Sequence, residues 1–240
     1  MTAEFDSLAE DYDRRVMPPI KRLVGGNGEP FIAAKVRWLL QEIAQGPIRH
    51  ATYPRLLDYG TGTGTLLRQL RGFGFEGALA GCDVSAAMLR HANASWRDRH
   101  SRPEFAIITK DRAPFGDGTF DIIVVCCVLH HIPIGARAIV FAELRRLLAA
   151  GGHCVIFEHN PYNPATRWMV SRSPIDRNVT LLNAKEVADS LEGAGLCLVK
   201  RTYMIFVPPR LPGASAIDAR LGWLPLGGQF AVIGEKPATA

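Results

Sequence analysis

From Arg55 onward, short apolar runs alternate with longer segments of helical periodicity. The runs are RLLDY (55–59), ALAGCD (78–83), EFAIIT (104–109), FDIIVVCCV (120–128) and GHCVIFE (152–158). They are rich in Val, Ile, Leu and Phe and lack polar alternation, the pattern of strands covered on both faces. Between them the periodicity predicts helices over Thr65 to Arg71, Ser85 to Arg97 and Gly135 to Ala149. Ser85 is placed to cap the second, and Gly151-Gly152 to stop the third, with Arg145 and Arg146 near its end. Strand, helix, strand in repetition predicts an α/β fold with a parallel sheet and right-handed crossovers.

The flanks extend this picture. Upstream lie an acidic amphipathic segment, Glu4 to Arg15, and an apolar helix candidate, Phe31 to Ala44, separated by Pro18-Pro19 and the glycines of 25–28. Downstream, Asn160 to Thr180 reads as a proline-containing loop, Ala184 to Glu192 as a helix and Leu196 to Tyr203 as a strand. A Pro/Gly-rich excursion, Pro208 to Gly228, then leads to a last strand, Gln229 to Gly234, expected to pair antiparallel with its predecessor. With no repeat and no linker, the expectation is one domain over 1–240. It divides into an N-terminal helical lid (1–50), a cofactor-binding core (51–160) and a substrate loop with C-terminal strands (161–240).

Composition narrows the class. The 240 residues are 48% hydrophobic and 21% charged, ordinary globular usage. The longest apolar run, Ile122 to Leu129, is far short of the ~20 residues of a membrane-spanning helix. The acidic start, MTAEFDSLAEDYDRR, does not resemble a secretory leader, so a cytoplasmic protein is expected. The net charge of +5 is spread along the chain. Its densest basic stretch, Arg90 to Arg112, is interrupted by acids and lacks an RNA-recognition signature, so no nucleic-acid partner is expected. The five cysteines show no C-x-x-C and no zinc-finger spacing, and are read as reduced thiols with no metal role.

The chemistry concentrates in Leu56-Leu57-Asp58-Tyr59-Gly60-Thr61-Gly62-Thr63-Gly64-Thr65. Alternate glycines permit positive φ and clear side chains from a place where a ligand meets backbone, and the helix that follows offers free N–H groups. A dinucleotide fingerprint would need glycine where Thr65 stands, and no Gly-Lys-Ser/Thr follows. The pattern is instead D-x-G-x-G-x-G, with Asp58 two residues before Gly60. A carboxylate there would repel a pyrophosphate but suits a cofactor with a cationic end.

This combination resembles motif I of the class I S-adenosylmethionine-dependent methyltransferases. Later landmarks continue the resemblance in order. Gly81-Cys82-Asp83-Val84-Ser85 ends the second strand, where an ionised acid can accept both hydroxyls of a ribose. Thr109 to Phe115 resembles the aspartate-then-L/A-P-F loop, and Phe120-Asp121 through Leu129-His130-His131-Ile132-Pro133 the F-D-to-L-H-H run. Leu147 to Glu158 resembles the L-x-P-G-G turn and its strand, with Ala149-Ala150 in the proline's place. Phe5 to Asp13 resembles the F-D-x-x-A-x-x-Y-D opening. The resemblance implies a Rossmann-like, doubly wound sheet of seven mostly parallel strands, the last antiparallel, with helices on both faces. It implies S-adenosyl-L-methionine as cofactor, held by Asp58, Gly60, Thr61, Gly62 and Gly64. Asp83 would serve the ribose, Val84 and Met88 would flank the adenine, and Asp111 would take the adenine amino group. Arg112, Cys126 and Tyr12, the last as a lid contact, complete the expected cofactor set.

Methyl transfer from a sulfonium is an in-line displacement that mainly requires positioning. A base matters for a hydroxyl or protonated amine, and the candidates at the strand ends are His130, His131, Glu158 and His159, with Asn160 beside them. Arg167, Arg172 and Arg177 could meet an anionic substrate. Trp168, Met169, Tyr203, Ile205, Phe206 and Trp223 could form an apolar wall, ordinary packing being the simpler account. The expected function is transfer of a methyl group to a small-molecule acceptor, oxygen mildly preferred. A non-catalytic S-adenosylmethionine-binding protein and an NAD(P)-dependent oxidoreductase are the alternatives. The acceptor and the oligomeric state are not readable from the sequence.

Overall fold

A computed structural model describes residues 28–48, 52–97, 101–173, 176 and 179–238. Its centre is a seven-stranded sheet in which β1 (Arg55–Tyr59), β2 (Ala78–Asp83), β3 (Glu104–Ile107), β4 (Phe120–Cys126), β5 (Leu148–His159), β6 (Cys197–Met204) and β7 (Gln229–Glu235) take the order β3-β2-β1-β4-β5-β7-β6. The first five strands run parallel. β7 inserts antiparallel between β5 and β6, so the expected terminal hairpin forms and also wedges its second strand into the sheet. The order reverses at β1, next to β4, and that switch point opens a crevice at the strands' C-terminal ends.

Why these segments become buried strands is visible in their side chains. Leu57, Ile123, Val125 and Ile156 lie on one face and Leu56, Ile122, Val124 and Val155 on the other, all fully buried. Each such side chain contributes roughly 1.5–3 kcal/mol on burial, so both faces need cover. One face is covered by α1 (Glu29–Ala44) and α2 (Thr65–Gly72), through Val36, Leu39, Leu66, Leu67 and Leu70. The other is covered by α4 (Ile134–Leu147) and α6 (Ala184–Gly193), through Val140, Phe141, Leu144, Val187 and Leu191. Between them in the chain, α3 (Ala86–Ser95) packs on β2 and β3, its first turn capped by the Ser85 hydroxyl, which accepts from the Met88 N–H at 3.1 Å.

Three local expectations are corrected. The glycine pair does not stop α4: the helix ends at Leu147 and β5 begins at once with Leu148. Gly151 (φ 74) and Gly152 lie inside β5, where the β4 register jumps from Phe120↔Leu148 to Ile122↔His153. A Cβ on Gly152 would come within 3.1 Å of the Phe120 and Asp121 carbonyl oxygens, so the glycines serve an irregularity in the strand. The presumed loop 160–180 contains α5 (Pro164–Ser171), started by the Asn163 side chain, which accepts from the Thr166 N–H. The excursion 208–228 contains α7 (Ala214–Leu221). Both helices are a mere eight residues long, too short for a periodic apolar stripe to show in the sequence. The acidic segment Glu4 to Arg15 lies outside the described residues.

Among the described residues, no helix is long and apolar enough to cross a membrane.

Candidate active site

The glycine loop is built as its spacing requires. Gly60 (φ 78), Gly62 (φ 52) and Gly64 (φ 74) all take left-handed backbone, a conformation that penalises other residues. The Gly60 and Thr61 N–H groups donate to the Cys82 carbonyl, binding the loop to the end of β2. The Gly62 N–H donates to Asp83 Oδ2 at 2.9 Å, and the Ser85 N–H to Asp83 Oδ1 at 2.9 Å. The acid is therefore fixed in direction before any ligand arrives.

A cavity of ≈ 150 Å³ lies over this loop. Of the residues expected to meet the cofactor, Gly60, Gly62, Asp83, Val84, Met88, Asp111 and Cys126 line it, and from the acceptor-side candidates His131 does. Asp111 is delivered by a tight turn. Thr109 and Arg112 exchange backbone hydrogen bonds, and Lys110 (φ 50) and Asp111 (φ 61) both take positive φ, as in a type I′ turn. Arg112 belongs to the same turn but not to the cavity wall. Its guanidinium lies 3.8 Å from Asp117, with a side chain 67% exposed. Tyr59, Ile108, Cys127, Val128, Ile132, Ala136 and Val140 also line the cavity and were not singled out from the sequence. Ala136 and Val140 sit four apart on α4, and Val128 and Ile132 flank the histidine turn, so their spacing was the available signal. Tyr12 lies outside the described residues.

Asp58 sits beneath the loop rather than in the cavity wall. Its Oδ2 accepts from the Thr61 hydroxyl at 2.8 Å, while Oδ1 is buried without a hydrogen-bond partner. Burial pushes its carboxyl up to about 7 against the bond from Thr61, with the nearby Asp83 charge adding to the rise. An orphaned buried carboxylate oxygen at the end of β1 suits a cationic ligand group. Gly64 starts α2 as its left-handed N-cap.

Behind Cys126 stands Lys35, a buried lysine from α1 that chain patterning had assigned simply to an apolar helix. Its Nζ lies 3.3 Å from the Sγ atoms of both Cys126 and Cys127. Burial disfavours the ammonium, yet the two thiols hold its pKa above the ordinary value. The hydrogen bond from Cys127 lowers Cys126 to about 7, against burial and with help from the Lys35 charge. Cys127 itself takes φ 58.

The histidine pair follows β4 in a single 3₁₀ turn, Leu129–His131. Glu158, fully buried at the end of β5, fixes it by accepting from the Leu129 N–H at 2.7 Å and pairing with His130 Nδ1 at 2.6 Å. Burial works against both charges, but the pairing brings Glu158 to about 2, and Glu158 with Asp176 brings His130 to about 10. Burial and the neighbouring His130 charge lower His131 to about 4. Asp176, which the sequence did not mark, places Oδ1 3.5 Å from Nε2 of each histidine. His130, Glu158 and His159 support the cavity from behind; His159 pairs with Gln229 at 3.2 Å and lies 5.2 Å, ring to ring, from His130. Asn160 anchors the chain's return: its Nδ2 donates to the carbonyls of Pro225 and Gly227.

The remaining candidates lie elsewhere. Arg172 stacks on Trp168 at 4.7 Å, and Trp223 is 75% exposed. Tyr203 packs edge-on against Phe230. None of Arg167, Met169, Ile205 and Phe206 lines the cavity, and Arg177 lies outside the described residues.

Comparison with known proteins agrees with this geometry. Residues 56–152 match the family described as methyltransferase domain. The ubiquinone/menaquinone biosynthesis C-methyltransferase UbiE of Idiomarina loihiensis is 31% identical over 115 residues, 47% of this chain and 45% of that protein. The demethylmenaquinone methyltransferase of Thermotoga maritima is 29% identical over 159 residues, 66% of this chain and 61% of that protein. The match spans about half the length of the curated relatives. In fold, the chain is similar to one from the complex between the Haloferax volcanii Trm112 methyltransferase activator and a methyltransferase. There the TM-score is 0.69 and the identity 21%, with 98% of each chain covered. The reversal of strand order at a glycine loop backed by two acids thus falls within a segment, 56–152, that is similar to methyltransferase domains.

Proposed function

We propose that the protein transfers the methyl group of S-adenosylmethionine to a small acceptor carrying an ionisable hydroxyl, with oxygen as the receiving atom. The observation that carries this reading is the pairing, in one cavity, of the Asp83 carboxylate held by two backbone N–H groups with a histidine on the acceptor side. Asp83 would accept the ribose hydroxyls, Val84 and Met88 would flank the adenine, Asp111 would take its amino group, and Asp58 would balance the cofactor's ammonium. His131, depressed to about 4, is neutral at physiological pH and keeps an unprotonated ring nitrogen. When bound, the cofactor would supply an electrophilic methyl group, its sulfur keeping the bond's electron pair as the acceptor oxygen takes the carbon. The unprotonated ring nitrogen of His131 would accept the hydroxyl proton. Positioning supplies most of the acceleration, and assisted proton loss roughly 10²–10⁴-fold.

A second reading places the methyl group on a ring carbon activated by the same hydroxyl, and the names of the curated relatives favour it. Incubation of the purified protein with methyl-labelled S-adenosylmethionine and a panel of phenols, hydroquinones and aliphatic alcohols tests both. Label in an ether supports oxygen transfer, and label on a ring carbon supports the second reading. Cofactor binding without S-adenosylhomocysteine formation across the panel would leave a non-catalytic binding protein.

A further inference from the structure

His130, His131 and Asp176 each bring one possible ligand atom within 4.8 Å of the others, and Nε2 of each histidine lies 3.5 Å from Asp176 Oδ1. Two ligand atoms bound to one zinc-class ion at about 2.0–2.1 Å, at a tetrahedral angle, stand about 3.4 Å apart. The carboxylate–imidazole separations already match that figure. We propose that these three groups form a binding site for a divalent transition-metal ion of the zinc class, at the wall of the cofactor cavity.

Two independent features support the assignment. Glu158 pairs with His130 Nδ1 at 2.6 Å, and a carboxylate on the far nitrogen fixes the tautomer that leaves Nε2 as the metal-binding atom. Charge gives the second. Glu158 and Asp176 are two carboxylates withdrawn from water, their side chains 1% and 11% exposed. A proton on His130 offsets one negative charge; a divalent ion held by the three groups offsets both. Three protein ligands leave a coordination position for a further oxygen, as in catalytic rather than structural zinc sites. Because His131 lines the cavity, an ion on its Nε2 would polarise an acceptor hydroxyl and lower its pKa, in place of direct proton acceptance by the imidazole. That use rests on the methyl-transfer reading, whereas metal binding does not.

The test is titration of chelator-treated full-length protein with zinc chloride by calorimetry, and with cobalt(II) followed by visible absorption. Expected are one saturable site at micromolar or tighter affinity and the intense visible bands of low-coordinate cobalt. Asp176→Asn, a near-isosteric change, and His131→Ala should each abolish both signals, with far-UV circular dichroism confirming the fold. Glu158→Gln should weaken binding 10–100-fold. No saturable uptake, or equal uptake by wild type and Asp176→Asn, would overturn the site and leave a proton-bridged ion cluster in its place. Methyl transfer that persists unchanged in excess chelator would remove the proposed use while keeping the family reading intact.

Discussion

Removing the Asp83 carboxylate tests whether the cavity grips the ribose of a cofactor. Its two oxygens each accept one backbone N–H, from Gly62 and Ser85, at 2.9 Å, so the group is pre-oriented and no rotamer entropy is lost when a ribose arrives. Charge-assisted hydrogen bonds contribute about 1.5–3 kcal/mol each. Two ribose bonds lost in Asp83→Ala therefore cost about 3 kcal/mol or more, on the order of a hundredfold or more in Kd. The same substitution removes the acceptor of two loop amides and lowers the melting temperature, so affinity alone would confuse a missing contact with a loosened loop. A ligand cycle separates them. Wild type and Asp83→Ala are each titrated calorimetrically, at a temperature where both are folded, with S-adenosylhomocysteine and with its 2′-deoxy form. If Asp83 grips the sugar, deleting the hydroxyl weakens binding to wild type by about tenfold or more and leaves the variant nearly indifferent. Equal losses in both proteins would refute the contact.

The other predictions use neighbouring geometry. A Cβ on Gly60 meets Val128 Cγ2 at 2.5 Å, whereas one on Gly62 meets nothing within 4 Å. Gly60→Ala should therefore lower thermal stability more than Gly62→Ala, both bearing the ~1–3 kcal/mol of left-handed strain; equal melting points would contradict this. Asp58 rises from 3.8 to about 7 through burial. The folded chain thus holds a proton that the unfolded chain releases, and ligand-free stability falls as pH climbs from 4 to 7. Cofactor affinity should rise over the upper part of that interval, as the carboxylate becomes available to the cofactor's ammonium. A flat calorimetric affinity between pH 6 and 8 would sink this assignment. Cys126, near 7, should react with iodoacetamide with a pH midpoint in that region. Lys35→Met should move the midpoint upward, as mapped by peptide mass spectrometry, and S-adenosylhomocysteine should slow the reaction; an unmoved midpoint would show that Lys35 does not stabilise the thiolate.

The five parallel strands and the first acid were legible because each depends on neighbours in sequence. RLLDY and FDIIVVC carry their burial on both faces, and Asp58 and Asp83 mark strand ends directly. What could not be read depends on distant partners. Lys35 lies 91 residues from Cys126 and is held beside it only by the packing of α1 on the sheet. Asp176 reaches the histidines across a segment that reads as a plain loop. Gly151-Gly152 looked like a helix stop, since glycine after a run of helix formers has that meaning locally. Gly151 is instead required by its left-handed backbone and Gly152 by the Phe120 and Asp121 carbonyls of the adjoining strand. The histidines were found by motif, but which of them faces the cavity was decided by Glu158, which draws His130 behind the wall.

The contact between Lys35 and the two thiols joins an early helix to the strand end that lines the cavity. Such a join couples two equilibria, docking of the helix and occupancy of the cavity, and thermodynamic coupling is reciprocal. Whatever steadiness the ammonium lends Cys126 for ligand binding, a bound ligand returns to α1 as slower amide exchange along its buried face. Covalent blocking of the thiols would loosen that helix from a distance, without touching any residue within it.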